Sequence, residues 1–300
     1  MTAALTSAPP SPFAAWALAT RPRTLVAGLV PVAVGSAVAW RDGKFSLLPA
    51  LGALVGALLI QIGTNLFNDA YDFKRGADTG DRLGPPRATQ QGWLTPEAVM
   101  RGAVVCFVLA FVVGLYLVSV AGWPLLVVGL VSLLAGYAYT GGPFPLAYHG
   151  LGDLFVLVFF GLVAVGGTSF VLTQTVTPLA LLAGVPVGAL GVALLAVNNV
   201  RDVQTDTAAN KRTLVVRLGV GFGRAEYVAM LVLAAAMPII LWALGLASPW
   251  VMTSIAALVL AVPPLRLVMT QSGPVLNQAL AGTARRQLIY GVLFSVGLAQ

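Results

Sequence analysis

Apolar residues occur in long runs along this chain, and short polar segments separate the runs. Eight stretches are clearly apolar and a ninth is weaker, each near the roughly 20 residues that a helix needs to cross a bilayer. They cover residues 24–40, 47–68, 103–122, 125–140, 154–172, 179–197, 227–246, 250–267 and 282–300. The pattern predicts an all-α integral membrane protein with nine transmembrane helices, the eighth ended or kinked by Pro263-Pro264.

Composition excludes several classes of protein. Of the 300 residues, 58% are hydrophobic and 9% are charged, whereas a soluble domain carries about 25% charged residues. These values exclude a soluble globular enzyme, a disordered chain and a collagen-like repeat. The net charge of +7 on so apolar a chain indicates membrane topology, and we expect no nucleic-acid partner. The single cysteine, Cys106, and the single histidine, His149, exclude a disulfide framework and a Cys- or His-based metal cluster.

The polar N-terminal residues predict a separate short segment. Ser11-Pro12 followed by Phe13 to Trp16 is typical of the start of an interfacial helix, whose Trp side chain lies at headgroup depth. We therefore divide the chain into an N-terminal interfacial segment, residues 1–23, and a single transmembrane domain, residues 24–300.

The basic residues predict the orientation in the membrane. With a cytoplasmic N-terminus, 15 of the 17 Lys and Arg residues lie in inside segments, and Arg41 and Lys44 alone lie outside. Because basic residues are enriched on the cytoplasmic side, we expect a multi-pass protein of the cytoplasmic (inner) membrane with its N-terminus in the cytoplasm. Two inside loops, at about 69–101 and 198–226, are long and polar, which favours a functional site on that face.

The acidic residues gather at the same face, at the ends of two predicted helices. The first acidic cluster contains Asp69, Asp72, Asp78 and Asp81, and the second contains Asp202 and Asp206. Both helix ends contain the pattern N-x-x-x-D, and Asn68 and Asn198, like Asp72 and Asp202, are 130 residues apart. Residues four apart share one helical face, so each helix end offers an amide and a carboxylate to a common point.

Crowded carboxylates at the end of an apolar helix repel one another, and a divalent cation relieves that repulsion. Oxygen ligands without Cys or His favour Mg²⁺ over Zn²⁺, and Mg²⁺ is usually held by one or two carboxylates together with a substrate phosphate. The basic residues Arg75, Lys211 and Arg212 lie next to the two clusters. The combination predicts a Mg²⁺-assisted site for a diphosphate group.

Four stretches resemble a known family. ATRPRTL (19–25), NLFNDAYDFKRGADTGDRLGPPR (65–87), YTGGPFPLAYHGLGD (139–153) and NNVRDVQTDTAANKRTLVVRLG (198–219) are similar to the UbiA-type superfamily of intramembrane prenyltransferases. The flanking segments most resemble its 1,4-dihydroxy-2-naphthoate polyprenyltransferase branch, from menaquinone biosynthesis. The resemblance implies a bundle of nine transmembrane helices around a central cavity open to the cytoplasmic face. It also implies Mg²⁺, a polyprenyl diphosphate donor and an aromatic acid acceptor.

The resemblance also implies a reaction. The allylic diphosphate ionises, and the electron-rich ring attacks the cation in an electrophilic aromatic substitution that also removes the ring carboxylate. Asn68 and Asp72 match the first family motif, and Asp202 and Asp206 match the second. The last Asp of the first motif would fall at Gly76 in this sequence, and Asp78 lies two residues further on.

The predicted site residues fall into four groups. Asp72, Asp202, Asp153 and Tyr139 are predicted to be catalytic; Asn68, Arg75, Lys211 and Arg212 to bind the diphosphate; Arg21 and Asn65 to bind the acceptor; and Asn68, Asp69, Asp72, Asp78, Asn198, Asp202 and Asp206 to bind the metal.

Alternatives stay open at this point. Asp153 could instead cap the fifth helix, Arg21 could be a basic anchor at the cytoplasmic face, and Tyr139 could be an interfacial anchor. The acceptor could be another aromatic compound such as 4-hydroxybenzoate. A secondary transporter, built from the 130-residue repeat, is the rival from a different class.

Overall fold

The computed structural model describes residues 10–78 and 82–300. These residues form helices joined by loops, with no strand among them. Residues 1–9 of the predicted interfacial segment, and Asp81 of the first acidic cluster, lie outside the described residues.

Fourteen α-helices occur in the described ranges. Their bounds are α1 Pro12–Ala19, α2 Val26–Arg41, α3 Leu47–Lys74, α4 Pro96–Ala121, α5 Pro124–Ala138, α6 Gly152–Val156, α7 Ala164–Thr173, α8 Pro178–Arg201, α9 Val203–Ala208, α10 Leu214–Leu218, α11 Val220–Ala243, α12 Ile255–Val259, α13 Val262–Thr270 and α14 Leu276–Leu298. A π-helical segment, Leu157–Val163, joins α6 to α7, and short 3₁₀ turns cover Pro22–Thr24, Leu146–His149, Pro249–Ser254 and Gly273–Val275.

Helix starts follow the local sequence. α4 and α8 each begin with a threonine and a proline: the hydroxyl oxygens of Thr95 and Thr177 accept hydrogen bonds from the backbone N–H groups of Ala98 and Ala180. Pro at the first helical position adds no unpaired N–H, since that group lacks a helical partner in any case. The predicted helix after Ser11 is confirmed as α1, with the Ser11 hydroxyl accepting from the N–H of Ala14.

Two helices extend further than their apolar runs. α3 continues past the predicted end at residue 68 to Lys74, and α8 continues past 197 to Arg201. Several polar side chains of these last turns are buried, among them Asp69, Asp72 and Arg201. Arg87 and Ala88 of the loop after α3 bind the two acids, and Asn277 accepts from Arg201. The Asp residues of the first cluster at 69 and 72 therefore lie on a helix rather than in a solvated loop.

The core is centred on α8. Its most apolar stretch is 78% buried inside the protein, the largest such share among the candidate spans of the described residues. α2, the π-helical segment, α11 and α14 surround it. A Cβ on Gly184 would lie 2.7 Å from the carbonyl oxygen of Gly161, so a side chain at that position would push the π-helical segment away from α8.

By length and apolar composition, five helices of the described chain could each cross a membrane. The number rises to seven if each of two helix pairs bent by more than 40° counts as one span. The bends lie between Thr24 and Val26 (52°) and between Val259 and Val262 (47°), the latter just before Pro263-Pro264 as predicted. The predicted count of nine is not established, because α5 has 15 residues and α14 carries Arg285 and Arg286.

Candidate active site

The carboxylate of Asp72, on the last turns of α3, is the centre of the first acidic cluster. Its Oδ1 accepts a hydrogen bond from the hydroxyl of Tyr148 (2.8 Å), and its Oδ2 accepts from Nη1 of Arg87 (2.8 Å). The same Arg87 nitrogen also pairs with Asp78 and donates to the backbone carbonyl of Asn68. Although burial opposes the charge, Asp72 and Asp78 hold the pKa of Arg87 above its usual value.

The other two acids of this cluster hold the loop that follows α3. Asp69 accepts hydrogen bonds from the backbone N–H of Ala88 (3.2 Å) and from the hydroxyl of Thr89. Asp78 forms ion pairs with Arg82 and Arg87. Both oxygens of each carboxylate are therefore engaged by the loop itself, and this tertiary role was not expected from the sequence.

The second acidic cluster lies where α8 passes into α9. Arg201 forms a two-pronged pair with Asp202, through Nε (2.7 Å) and Nη2 (2.6 Å). Asp206 lies 3.6 Å from the Nζ of Lys211. Burial raises the pKa of Asp206 to about 6 although Lys211 opposes the shift. Burial also opposes the charge of Lys211, but Asp206 and Asp72 raise its pKa above the usual value.

The two clusters meet in space. Tyr148, which donates to Asp72, has its ring 5.7 Å from the Nζ of Lys211, and Lys211 pairs with Asp206. A second link runs through Asn277, which donates to the carbonyl of Leu83 in the first loop (2.8 Å) and accepts from Arg201 (2.7 Å). The ends of α3 and α8, far apart in sequence, therefore share one site.

The two asparagines of the repeated pattern lie at the edges of this site. The Oδ1 atom of Asn68 accepts a hydrogen bond from the hydroxyl of Thr140 (2.6 Å). Asn198 is partly buried, and its amide donates to the carbonyl of Leu194 one turn earlier (3.4 Å).

Arg75 and Arg212 lie on the outer side of Tyr148. Arg75 donates to the backbone carbonyls of Thr140 (2.6 Å) and Gly142 (2.9 Å), and its guanidinium lies 5.0 Å from the Tyr148 ring centre. With Arg212 and Arg217 it lines an open polar cavity of about 400 Å³. Of the four residues predicted to bind diphosphate, Asn68 and Lys211 thus lie beside the carboxylates, and the two arginines lie behind Tyr148.

Asp153 and Tyr139 lie together on another side of the site. Asp153 is in the first turn of α6, where Leu151 takes the capping position, so the alternative of an N-cap is wrong. Its Oδ1 atom is buried with no hydrogen-bond partner among the described residues. The hydroxyl of Tyr139 packs against Gly152, 3.2 Å from where a Cβ would lie. A buried carboxylate oxygen without a partner among the described residues therefore lies close to Tyr139.

Tyr139 also lines an apolar cavity of about 230 Å³ that extends between α2, α3, α4, α5 and α7. Phe155 and Phe159, which stack with ring centres 5.4 Å apart, belong to the same wall. Gln61 and Thr64 of α3 are among the few polar residues lining it. A long apolar chain could lie in this cavity with one end directed to the carboxylates.

Arg21 and Asn65, predicted to bind the acceptor, have different environments. The Nη2 atom of Arg21 is buried with no hydrogen-bond partner within residues 10–78 and 82–300, and Asp72 and Arg87 are among its charged neighbours. Asn65, by contrast, donates to the carbonyl of Thr20 (3.0 Å) and to the hydroxyl of Thr24 (2.9 Å). Arg21 is thus free to bind a ligand, and the amide hydrogens of Asn65 are used within the protein.

The donor set fits a hard divalent cation in its chemistry. The carboxylate and amide groups of the two clusters supply oxygen ligands of the kind that such a cation prefers. At Asp206, the positive charge of Lys211 offsets only part of the effect of burial on the carboxylate. No three acidic, His or Cys side chains of the described ranges already stand in metal-binding geometry, because Arg87, Arg201 and Lys211 pair with the carboxylates. A metal would have to share or replace these pairs.

Sequence reasoning missed Arg87, Tyr148 and Arg201 as site residues. Each binds a motif carboxylate, but two of them reach Asp72 from 15 and 76 residues away. Arg87 could have been found from its position, because it follows Gly84-Pro85-Pro86 shortly after the first acidic cluster. Buried carboxylates need a nearby base to balance their negative charge. The sequence carries no comparable signal for Tyr148.

Comparisons with known proteins agree on one family. The sequence profile of the UbiA prenyltransferase family matches residues 28–281. The 1,4-dihydroxy-2-naphthoate octaprenyltransferase of Escherichia coli (strain K12) is 38% identical over 292 residues, covering 95% of this chain and 94% of that protein. The enzyme of the same name from Bacillus subtilis (strain 168) is 35% identical over 296 residues, covering 94% and 91%.

A solved structure shares the fold. A UbiA homologue from Archaeoglobus fulgidus, bound to DMAPP and Mg²⁺, superimposes with a TM-score of 0.62 at 15% identity, covering 94% of this chain and 99% of that one. At that identity the likeness concerns the fold alone.

Proposed function

The chain belongs to the UbiA prenyltransferase family, and on that premise we propose that it transfers a polyprenyl group from polyprenyl diphosphate to 1,4-dihydroxy-2-naphthoate. The reaction breaks the allylic C–O bond to diphosphate, forms a bond from the prenyl carbon to the ring, and releases the ring carboxylate as CO₂. The product is demethylmenaquinol, and the enzyme is a prenyltransferase of menaquinone biosynthesis.

The observation that carries this proposal is the meeting of the ends of α3 and α8. Tyr148 contacts the carboxylate of Asp72 and lies beside Lys211, which pairs with Asp206. A diphosphate is a compact anion, so residues from both clusters must lie within a few ångströms of one another to hold it. The apolar cavity next to Tyr139 gives the attached hydrocarbon chain a place to lie.

Charge balance supports a requirement for divalent metal. Four carboxylates of the two clusters, those of Asp72, Asp78, Asp202 and Asp206, are paired with four cations, Arg82, Arg87, Arg201 and Lys211. The fifth described acid of the clusters, Asp69, has Arg21 among its charged neighbours, so acids and bases are equal in number. An arriving diphosphate adds about three negative charges to a balanced, buried site, which is unfavourable at low dielectric. Divalent cations arriving with the substrate would offset that excess charge.

We propose Mg²⁺ as this metal, with ligands drawn from Asn68, Asp69, Asp72, Asp78, Asn198, Asp202 and Asp206. We place Asp72, Asp202 and Asp206 first among these, because they match the two family motifs. Asp69 and Asp78 are engaged by the loop after α3 on both carboxylate oxygens. When bound, the metal supplies positive charge to the leaving diphosphate. A UbiA homologue of the same fold was solved with DMAPP and Mg²⁺, which supports this choice.

The diphosphate also needs direct contacts with the chain. We propose that Lys211 and the amide of Asn68 bind it beside the carboxylates. Arg75 and Arg212 lie on the outer side of Tyr148. They would attract the diphosphate group of the entering substrate and guide the free diphosphate product out to the cytoplasm, rather than bind it during the reaction.

The cation and the acceptor meet at the cavity mouth. The ring of Tyr139 and the rings of Phe155 and Phe159 present negative faces that stabilise an allylic cation, and the apolar wall excludes the water that would quench it. The Asp153 carboxylate, whose Oδ1 atom has no hydrogen-bond partner among the described residues, lies beside Tyr139 and can accept the phenolic proton of the acceptor. We assign Arg21 to the acceptor side as well.

The chain is a multi-pass membrane protein, and the location of the site suggests its orientation. We propose that the two acidic clusters face the cytoplasm of the inner membrane, because 15 of the 17 basic residues share their face if the chain has the nine expected spans. Residues 24–300 then form one transmembrane domain, with the segment before them at the interface and the cavity opening to the cytoplasm and sideways to lipid.

The test uses purified protein in lipid nanodiscs with Mg²⁺, polyprenyl diphosphates of several lengths, and a panel of aromatic acids. We expect a prenylated, decarboxylated naphthalenediol from 1,4-dihydroxy-2-naphthoate and no product after chelation of the metal. Product from 4-hydroxybenzoate at an equal or greater rate would contradict the proposed acceptor. Asp42→Asn, an exposed acid after α2 outside both clusters, is the matched control for variants of the cluster acids.

A further inference from the structure

The chain adopts an unusual backbone conformation where α1 gives way to α2. Arg21 has φ 54° and ψ 66°, in the left-handed region, which non-glycine residues enter at a cost. Three non-glycine residues of the described chain have positive φ, and each lies at or just after the end of a helix: Arg21 after α1, Gln174 after α7 and Asn210 after α9. At Arg21 the conformation also leads directly into the turn at Pro22–Thr24, and the 52° bend of the helical path follows between Thr24 and Val26. Such strain persists where the surrounding structure fixes it.

Asn65 on α3 fixes this conformation. Its Nδ2 atom donates to the carbonyl oxygen of Thr20 (3.0 Å) and to the hydroxyl of Thr24 (2.9 Å), and the Thr24 hydroxyl in turn donates to the carbonyl of Arg21 (2.9 Å). Gln61, one turn earlier on α3, lies 3.5 Å from both Thr24 and Asn65. Both flanks of Arg21 are therefore tied to one face of α3.

The side chain of Arg21 is a cation with a buried nitrogen atom, unpaired among residues 10–78 and 82–300. The Nη2 atom of Arg21 is buried without a hydrogen bond in the described part of the chain. Its charged neighbours are Arg87 and Arg82 as well as Asp69 and Asp72, and those two acids are already engaged by Arg87, Ala88 and Thr89. A buried guanidinium with a free edge favours a planar anion.

The apolar cavity near Arg21 indicates which kind of anion could bind its guanidinium. Gln61, which contacts both Thr24 and Asn65, also lines the apolar cavity together with Tyr139. Tyr139 in turn interacts electrostatically with Arg21. Lys211, the base proposed to bind the diphosphate, lies instead beyond the end of α8, beside Asp206. Arg21 does not line the cavity itself, but its neighbours Gln61 and Tyr139 do. A flat aromatic acid with its ring against that wall would direct its carboxylate towards Arg21.

We propose that Asn65 and Thr24 are positioning residues that hold Arg21 in its left-handed conformation, so that its guanidinium binds the carboxylate of the aromatic acceptor. The proposal rests on the proposed function and adds a determinant of acceptor specificity to it. Arg21 contacts the substrate, and the other two residues act through it.

Paired variants and paired ligands test this. Thr24→Val removes the hydroxyl at nearly constant volume, Thr24→Ser retains it, and Asn65→Asp removes the amide donor in an isosteric side chain. Competitive inhibition by 1-hydroxy-2-naphthoate is compared with that by 1-naphthol, which lacks the carboxylate. In the unaltered enzyme we expect at least about tenfold tighter inhibition by the acid, the effect of a charge-assisted hydrogen bond.

We expect Arg21→Gln, Thr24→Val and Asn65→Asp to reduce this preference to less than about threefold and to raise the acceptor KM about tenfold. The KM for polyprenyl diphosphate should change less than twofold, and Thr24→Ser should keep the original preference. Thermal unfolding of each variant in the same detergent shows whether it is folded, and the inhibition by 1-naphthol should be unchanged in all of them.

Three results would overturn the proposal: equal loss of affinity for both inhibitors, a raised KM for the diphosphate in place of the acceptor, or no preference for the acid in the unaltered enzyme. Failure of the proposed function is distinguishable, because the unaltered enzyme would then give no prenylated naphthalenediol at all.

Discussion

The two acidic clusters share a sequence pattern but differ in how the fold supports them. At the end of α3, Asp72 is bound by Arg87 and Tyr148, which lie 15 and 76 residues away, and its side chain is 4% exposed. At the end of α8, Asp202 is bound by its chain neighbour Arg201, and its side chain is 19% exposed. The first cluster is part of the tertiary framework, and the second is held locally.

The difference suggests a division of tasks. A buried carboxylate with two distant partners organises the loop after α3 and the Leu146–His149 turn, so it contributes to folding as well as to chemistry. A locally paired and more exposed carboxylate can exchange its partner for a metal ion at lower cost. We therefore expect changes in the first cluster to affect stability and activity together, and changes in the second to affect metal use more than stability.

The largest expected effect is that of Asp72→Asn. It removes a charge from the centre of the site and weakens its bond to Arg87, so kcat should fall about 10²- to 10³-fold at saturating Mg²⁺. Turnover is measured by mass detection of the prenylated product. Asp42→Asn is the control and should retain full activity. If Asp72→Asn also kept near-normal turnover, the first cluster would have no role in the reaction.

The next comparison replaces the counter-ions. Arg87→Gln leaves the buried carboxylates of Asp72 and Asp78 without their shared base, so we expect the free energy of unfolding to fall by about 3 kcal/mol. Arg201→Gln leaves Asp202 partly exposed to water, and a loss of about 1 kcal/mol is expected. Denaturation in detergent micelles measures both. Equal losses would show that the two clusters do not differ as described.

Asp202→Asn should affect the metal rather than the fold. We expect the Mg²⁺ concentration for half-maximal activity to rise at least about tenfold, the effect of losing one charged ligand. The unfolding temperature measured without metal should stay within a few degrees of that of the unaltered protein. A large fall in unfolding temperature would instead place Asp202 in the framework with Asp72.

Tyr148→Phe is the mildest change. It removes the hydroxyl that donates to Asp72 and keeps the ring beside Lys211 and Arg75. A loss of about 1 kcal/mol in stability and a fall in kcat of about fivefold follow from one hydrogen bond. An unchanged kcat would mean that Arg87 alone orients the Asp72 carboxylate.

The same contrast explains what could be predicted from the sequence. Local features were accessible: the apolar runs predicted the helices, the Ser11-Pro12 start predicted α1, and the N-x-x-x-D spacing identified Asp72 and Asp202 as partners. The membership of the UbiA family, expected from four stretches, is confirmed by relatives that cover most of the chain. Arg201 was within reach too, as the immediate neighbour of Asp202.

Long-range partners were not accessible. Nothing in a single sequence pairs Arg87 or Tyr148 with Asp72, because the turns that bring them together are set by tertiary packing. For the same reason Asn65 was expected to touch the acceptor, whereas its amide holds the chain on either side of Arg21. The number of nine spans stays a prediction, since α5 is short and α14 carries two arginines within its apolar run.

Binding of an unreactive prenyl thiolodiphosphate with Mg²⁺ tests most directly whether the two helix ends bind one ligand jointly. Its affinity is measured for the unaltered protein, Asp72→Asn, Asp202→Asn and the double variant. If both ends hold the same metal–diphosphate group, each single change should remove most of the Mg²⁺-dependent affinity and the double change little more, giving a coupling energy above about 1 kcal/mol. Strictly additive losses, with no coupling between Asp72 and Asp202, would contradict the account.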